Sequence, residues 1–137
     1  MKEPVSNIME KDVITVNIDD SIKDVMQVFS QIKIRHIPVV TGDTLVGIIS
    51  YSDISRLNMN DLEEEDSEVI DPALGDISVN QLMKKSPITI RKNNSILEVA
   101  EIFANSQFHA LPVTDNNSLV GIVTTTDLIR YMIKKCK

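Results

Sequence analysis

The chain has 137 residues, of which 42% are apolar and 25% are charged, and its formal net charge is −6. A chain of this length and composition can bury a hydrophobic core, and its acidic balance argues against nucleic acid or an anionic membrane as the main partner. The single cysteine, Cys136, excludes an internal disulfide. The lack of an internal disulfide, of an apolar leader and of any stretch of about 18 apolar residues together favours a cytoplasmic protein.

The first half of the chain predicts the element order β-α-β-β-α after a short leading helix. Ser21-x-x-Asp24 is a capping box that begins the first long helix, and apolar residues then recur with the helical period. Short β-branched runs indicate strands, and the turn at 41–43 separates the last two. The predicted elements are a leading helix at 6–9, a strand at 13–16, a helix with Ile22, Val25, Met26, Phe29 and Ile32 on its buried face, strands at 37–40 and 45–49, and a helix at 52–59.

The second half of the chain repeats the first. When the sequence is shifted by 74 residues, Pro38 falls on Pro112 and the two halves align without a gap. The corresponding elements are predicted at 81–83, at 88–90, from the capping box Ser95-x-x-Glu98, at 111–113, at 119–123 and at 126–134, with a turn at 115–117. The chain therefore divides into a first repeat at 1–59, an acidic linker at 60–76 and a second repeat at 77–137.

One seven-residue pattern occurs in both repeats, as GIISYSD at 47–53 and as GIVTTTD at 121–127. Ser50-x-x-Asp53 and Thr124-x-x-Asp127 both fit a capping box, which needs no ligand. The same residues also suit a nucleotide, because a helix N-terminus attracts phosphate and a carboxylate can accept the hydroxyls of a ribose. The sequence alone leaves both interpretations open.

With this duplication, and with Ile37-Pro38-Val39-Val40 and Leu111-Pro112-Val113, the chain resembles a tandem pair of CBS (cystathionine-β-synthase) domains, the Bateman module. The resemblance implies an α/β (α+β) fold of two β-α-β-β-α repeats packed with pseudo-two-fold symmetry around two clefts. By this resemblance the nucleotide-binding residues of one cleft are Ser50, Ser52, Asp53, Met83, Ile88, Phe108 and His109. Those of the other are Thr124, Thr126, Asp127, Met9, Ile14, Ile34 and Arg35, with His36 at its mouth. Only Phe108 gives its cleft an aromatic face.

Several of these residues also have simpler interpretations. Arg35 suits phosphate because it is always charged and bidentate, but it could equally complement the end of a helix. Four other predicted site residues are of types usually found in the core, and their simpler interpretation is a core role. These are Met9, Met83, Ile14 and Ile88. His36 and His109 have no Cys, His or Glu cluster at ligand spacing, so no metal site is predicted.

The sequence contains no nucleophile elbow, no P-loop, no zinc spacing and no Cys–His pair, so we expect no catalysis. The resemblance implies a regulatory module that binds AMP, ADP or ATP without an obligatory cofactor, forms a homodimer and acts on a separate target protein. Two alternatives stay open. The motifs could serve only as caps in a structural or dimerisation module, or the ligand could be S-adenosylmethionine, a cyclic dinucleotide or NADH, which share the adenosine.

Overall fold

The structure is a computed structural model that describes residues 1–56 and 75–137. Most of the predicted acidic linker at 60–76 and the last part of the predicted helix at 52–59 lie outside the described residues. The fold is a mixed α+β fold, as the sequence predicts. After a 3-10 helix at Val5–Asn7, the first half contains β1 (Val16–Asn17), α1 (Ile22–Gln31), β2 (His36–Thr41), β3 (Thr44–Ser50) and α2 (Tyr51–Ser55).

The second half has the same order of elements with one added strand, β4, after its leading helix. These are α3 (Val79–Leu82), β4 (Lys84–Lys85), β5 (Ile90–Arg91), α4 (Ile96–Ala104), β6 (Ala110–Asp115), β7 (Ser118–Thr124) and α5 (Thr125–Lys135). The predicted helices and the second and third strands of each repeat are thus present, with ends that move by a few residues. The two first strands are shorter than predicted and begin later, at Val16 and Ile90.

The chain forms two compact units whose boundaries differ from those of the predicted repeats. We call them the first-repeat unit, residues 14–42 and 46–86, and the second-repeat unit, residues 1–13, 43–45 and 87–137. The leading segment of each repeat therefore groups with the other repeat. The backbone explains this grouping at the N-terminus, because the Val5 N–H donates to the Asn94 carbonyl at 2.7 Å and the Ile96 N–H donates to the Glu3 carbonyl at 2.9 Å.

In the first-repeat unit, β1 runs parallel to β2 with Val16 opposite Val39, and β3 lies beside β2. On its other side β3 pairs with β4 in antiparallel fashion, with Gly47 opposite Lys85. Aliphatic side chains fill the core because the repeat supplies no tryptophan. The buried residues of this core are Val16, Ile22, Val25, Ile37, Val39, Ile49, Ile54, Val79 and Met83.

The second-repeat unit has the same arrangement. β5 runs parallel to β6 with Ile90 opposite Val113, and β6 pairs with β7 in an antiparallel hairpin. An isolated antiparallel bridge joins Glu10 to Ile122, at the position that β4 takes in the other unit. The buried residues of its core are Val5, Ile90, Ile96, Val99, Phe103, Leu111, Val113, Val123 and Leu128.

The first long helix, α1, begins where the sequence predicts, but one residue predicted in its core face is exposed. The Ser21 hydroxyl accepts the Asp24 N–H, and the Asp24 carboxylate accepts the Ser21 N–H. The apolar face carries Ile22 and Val25 into the core. Ile32, which was predicted on that face, is 38% exposed because α1 ends at Gln31 and Ile32 continues in an extended conformation.

The capping box predicted at Ser95 is only half formed. The Ser95 hydroxyl accepts the Glu98 N–H at 3.1 Å, as expected for an N-cap. The Glu98 carboxylate instead accepts the side-chain amide of Asn94 at 2.7 Å. The turns agree with the sequence, because Gly42, Asn116 and Asn117 all have positive φ angles.

The motif glycines have no room for a side chain. A Cβ at Gly47 would lie 2.5 Å from Met83 Sδ and 2.9 Å from the Lys84 carbonyl oxygen. A Cβ at Gly121 would lie 2.5 Å from Met9 Sδ and 3.0 Å from the Glu10 carbonyl oxygen. In both units, a methionine and the backbone that follows it therefore cross directly over the glycine of β3 or β7.

Glu3 anchors the N-terminal segment to α5. Its carboxylate accepts the Tyr131 hydroxyl at 2.6 Å and lies 3.5 Å from the Lys135 ammonium. The Tyr131 hydroxyl is the main reason that the pKa of Glu3 falls from 4.5 to about 2, with a backbone hydrogen bond and nearby positive charges adding to it. A lowered pKa stabilises the folded state above pH 4.5, and this contribution disappears as the pH falls towards 2.

We predict that Gly47→Ala and Gly121→Ala each destabilise the protein by about 1–3 kcal/mol, the usual cost of overpacking. The neighbouring carbonyl oxygens belong to the backbone and cannot turn away as a side chain would. Urea unfolding at neutral pH measures the effect. Gly75→Ala is the matched control, since its Cβ would meet only the Lys23 side chain at 3.8 Å. Equal stabilities of the three variants would contradict the close contact.

We predict that Tyr131→Phe lowers the melting temperature at pH 7, because the Glu3 carboxylate loses its main hydrogen bond while the ring stays packed. The difference from wild type should shrink as the pH falls from about 5 to about 2, because Glu3 becomes protonated over this range. Calorimetry across this range is the measurement. Glu3→Gln is the control, because the Tyr131→Phe difference should lose its pH dependence in that background.

Candidate functional site

The hydroxyl and acid of the first motif lie at the junction of β3 and α2. The Ser50 hydroxyl accepts the Asp53 N–H at 3.1 Å, and Asp53 Oδ2 accepts the Ser50 N–H at 3.2 Å. Ser52 joins this group, with its Oγ 3.0 Å from Ser50 Oγ. The predicted capping box is therefore confirmed, and three of the predicted site residues are brought together.

The second motif repeats this geometry at the junction of β7 and α5. The Thr124 hydroxyl accepts the Asp127 N–H at 3.2 Å, and Asp127 Oδ2 accepts the Thr124 N–H at 2.9 Å. Thr126 is exposed on the first turn of α5. The same local sequence thus builds the same capped helix start in both units.

Capping uses only one carboxylate oxygen of each motif. Among residues 1–56 and 75–137, Oδ1 of Asp53 and Oδ1 of Asp127 accept no hydrogen bond, and both side chains are half-buried rather than enclosed. An ionised carboxylate has about four lone-pair sites, so the second oxygen can accept the hydroxyls of a sugar while the first holds the cap. The two interpretations of the motif are therefore compatible.

Arg35 lies beside the first motif, held by a residue that the sequence analysis missed. The Tyr51 N–H donates to the Arg35 carbonyl at 2.8 Å, and the Arg35 guanidinium carbon lies 4.9 Å above the centre of the Tyr51 ring. That ring in turn meets Phe29 edge to face at 5.6 Å. The sequence offered one signal for this contact, an aromatic residue at the first position of α2, one residue before the Ser52 hydroxyl. Stacking on a ring uses the face of a guanidinium, so the N–H groups at its edge can still bind an anion.

The second-repeat unit has the same backbone contact without the cation and aromatic pair. The Thr125 N–H donates to the His109 carbonyl at 2.9 Å. Phe108 and Ile34 occupy equivalent positions, each half-buried against the core of its own unit. The two motifs thus have equivalent frames but different neighbouring side chains.

The four predicted site residues for which a core role was the simpler interpretation differ in burial. Met83 is 8% exposed and belongs to the first-repeat core, and Met9 packs against the second-repeat core. Ile14 is half-buried, and Ile88 is 57% exposed, so a core role for Ile88 is wrong.

The predicted site residues divide between the two units. The first-repeat unit contains Ile14, Ile34, Arg35, His36, Ser50, Ser52, Asp53 and Met83. The second-repeat unit contains Met9, Ile88, Phe108, His109, Thr124, Thr126 and Asp127. That each cleft combines residues of both repeats stays a prediction.

Within residues 1–56 and 75–137, no group of three or more His, Cys, Asp or Glu side chains is arranged to hold a metal ion. No helix within this part of the chain is long and apolar enough to cross a bilayer.

The chain belongs to the CBS domain family, whose model matches residues 5–60 and 76–134. A CBS domain-containing protein of Dictyostelium discoideum is 30% identical over 98% of this chain and 94% of its own length. The protein MJ0188 of Methanocaldococcus jannaschii is 31% identical over 98% of this chain and 46% of its own length. The chain thus spans about half the length, or less, of the first curated relatives that it matches.

Solved structures of CBS pairs share the fold over nearly the whole chain. The CBS-pair protein CBSX2 of Arabidopsis thaliana, solved in complex with AMP, is 25% identical with a TM-score of 0.82, covering 98% of this chain and 99% of that one. The CBS pair of MJ0100, solved with 5′-methylthioadenosine and S-adenosyl-L-methionine, is 26% identical with a TM-score of 0.80, at the same coverages. The ligands of these two proteins share an adenosine.

We predict that Ser50→Ala and Thr124→Ala each cost about 1 kcal/mol of stability, because each removes the hydroxyl that caps its helix. Thr126→Ala is the control. Its hydroxyl makes no capping bond, so its effect should stay within about 0.5 kcal/mol. Chemical denaturation compares the three. A loss for Thr126→Ala as large as that for Thr124→Ala would contradict the assignment of the cap.

Proposed function

We propose that this chain is a regulatory module that binds an adenosine-containing nucleotide, such as AMP, ADP or ATP, and catalyses no reaction itself. The observation that carries the proposal is the duplicated helix start, in which an aspartate uses one oxygen as a cap while the other accepts no hydrogen bond within residues 1–56 and 75–137. Asp53 and Asp127 accept ribose hydroxyls in this proposal. Hydroxyl groups lie beside these aspartates, on Ser50, Ser52, Thr124 and Thr126.

The relatives support adenosine as the common part of the ligand. CBSX2 was solved with AMP, and the MJ0100 CBS pair with 5′-methylthioadenosine and S-adenosyl-L-methionine. An aspartate that binds the ribose cannot by itself distinguish these molecules, because the ribose is the part that they share. S-adenosylmethionine, a cyclic dinucleotide and NADH are therefore alternative ligands of the same site.

The output of such a module requires a second state. A ligand shifts a conformational equilibrium only by its difference in affinity between the two states. We propose that the chain forms a cytoplasmic homodimer and that ligand binding changes its affinity for a separate target protein.

A second candidate function is a dimerisation module with no physiological nucleotide. One observation favours it, since Ile129, Met132 and Ile133 are each about half exposed and lie at helical spacing on α5. Such an apolar stripe suits the surface of a second copy of this chain. Under this candidate the motifs act only as caps. A dimer that binds no nucleotide would support it.

The test is calorimetric titration with adenosine, AMP, ADP, ATP and GMP. We expect wild type to bind adenine nucleotides, and Asp53→Asn or Asp127→Asn to weaken binding at its own motif by about 10-fold or more, since hydrogen bonds to charged groups contribute about 1.5–3 kcal/mol. Asparagine is a more specific substitution than alanine, because its amide oxygen still accepts the capping N–H while its NH₂ group cannot accept a ribose hydroxyl.

Asp43→Asn is the matched control, because it removes a carboxylate outside both motifs, on the exposed turn between β2 and β3. It should bind like wild type. The proposal fails if wild type gives no binding to any of these ligands at millimolar concentration, or if both motif variants bind like wild type.

A further inference from the structure

The turns at one end of the second-repeat sheet enclose a cavity of about 630 Å³, which we call the polar groove. Residues 89–94, from β5 and the turn that follows it, line one wall, and residues 114–117, from the turn between β6 and β7, line the other. Its volume is in the range of small-molecule sites. None of the predicted nucleotide-binding residues lines it, so the proposed function leaves this groove without a role.

One cation in the polar groove has no partner within the part of the chain that the structure describes. Lys92 pairs with Asp115, with 2.9 Å between the ammonium nitrogen and Asp115 Oδ2. Arg91 is exposed, and its guanidinium forms no ion pair or hydrogen bond with any described residue. Apart from Ile90, the other lining residues carry amides or hydroxyls. The groove therefore has one net positive charge, in a chain whose net charge is −6.

The turn after β5 does not need the guanidinium in order to form. Asn94 Oδ1 accepts the Arg91 N–H at 2.7 Å, and the Asn94 N–H donates to the Arg91 carbonyl at 3.0 Å. The same turn occurs in the first repeat, where Asp20 Oδ2 accepts the Asn17 N–H at 2.8 Å and the Asp20 N–H donates to the Asn17 carbonyl at 2.9 Å. Asn17 is the residue that corresponds to Arg91 in the alignment of the repeats.

The charge of this turn reverses between the repeats. Residues 91–94 carry two cations and no carboxylate, whereas residues 17–20 carry two carboxylates and no cation. In the other wall, Asn116 has a φ of 51°, and Gly42 has a φ of 61° at the corresponding position. That turn thus forms without a side chain in the first repeat. The cation and the amide are features of the second repeat that its backbone does not require.

We propose that the polar groove binds a small hydroxylated carboxylate, such as a hydroxy acid or a sugar acid. The Arg91 guanidinium binds the carboxylate through two parallel N–H groups. Asn93 and Asn116 each supply an amide that donates to one hydroxyl and accepts from another. The Asp115 oxygen that does not face Lys92 accepts a further hydroxyl.

The composition of the lining selects this class of ligand over others. A nucleobase or a lipid needs apolar surface, and Ile90 is the one apolar residue among those that line the groove. A ligand with several phosphates carries more negative charge than one unpaired guanidinium can balance, and the Asp115 carboxylate repels it. A carboxylate with neutral hydroxyls matches both the single charge and the surrounding hydrogen-bonding groups.

The test is an NMR titration of the whole chain with D-gluconate at pH 7 and constant ionic strength. We expect shifts at the amides of residues 89–94 and 114–117. Sorbitol has the hydroxyls without the carboxylate, and hexanoate has the carboxylate without the hydroxyls. Each should bind at least about 10-fold more weakly than gluconate, because each loses one of the two sets of hydrogen bonds.

The variant that tests the cation is Arg91→Asn, which inserts the residue of the first repeat into a turn that accommodates it there. We expect it to weaken gluconate binding by about 10-fold or more, since hydrogen bonds to charged groups contribute about 1.5–3 kcal/mol. Lys11→Gln is the control for net charge, because it removes one exposed cation outside the groove. It should bind gluconate within about 2-fold of wild type.

Three results would overturn the inference. These are no gluconate shifts in the groove at about 50 mM, where a site with a millimolar dissociation constant is nearly filled, equal affinities for gluconate and sorbitol, and an unchanged affinity in Arg91→Asn. None of them bears on the nucleotide proposal, because the groove shares no residue with the two motifs.

Discussion

In each unit a methionine crosses a glycine that has no space for a Cβ, and the position of the motif depends on this contact. Met83 over Gly47 and Met9 over Gly121 bring the backbone of a leading segment against the strand that ends in the motif hydroxyl. Gly47 therefore lies opposite Lys85, and Glu10 pairs with Ile122. With one side of the strand fixed in this way, its last residue begins the capped helix in a defined direction.

In the proposed function, the capped helix start serves both stability and binding. Capping needs one hydroxyl and one carboxylate oxygen, and it fixes the rotamers of both side chains. The other oxygen of Asp53 or Asp127 is then held in place, so the proposed ligand would bind with little loss of conformational entropy. A purely structural cap and a ligand site are therefore not competing explanations in this fold.

The two units differ in the side chains around this shared frame. In the first-repeat unit Arg35 stacks on Tyr51, whose ring meets Phe29 edge to face, whereas Arg130 and Lys134 line a cavity in the second. Duplication preserved the backbone and the motif, while the surrounding positions diverged. Such divergence would give the two proposed sites different affinities.

The sequence by itself determined the duplicated unit, the order of its elements and the caps at Ser21, Ser50 and Thr124, because a cap is an interaction between residues three positions apart. Only the tertiary structure decided which core each leading segment joins. Met9 and Gly121 are more than a hundred residues apart, and no local pattern encodes their contact. The exposure of Ile88 and the stacking of Arg35 on Tyr51 depend in the same way on long-range or cross-element packing, which propensity and periodicity do not specify.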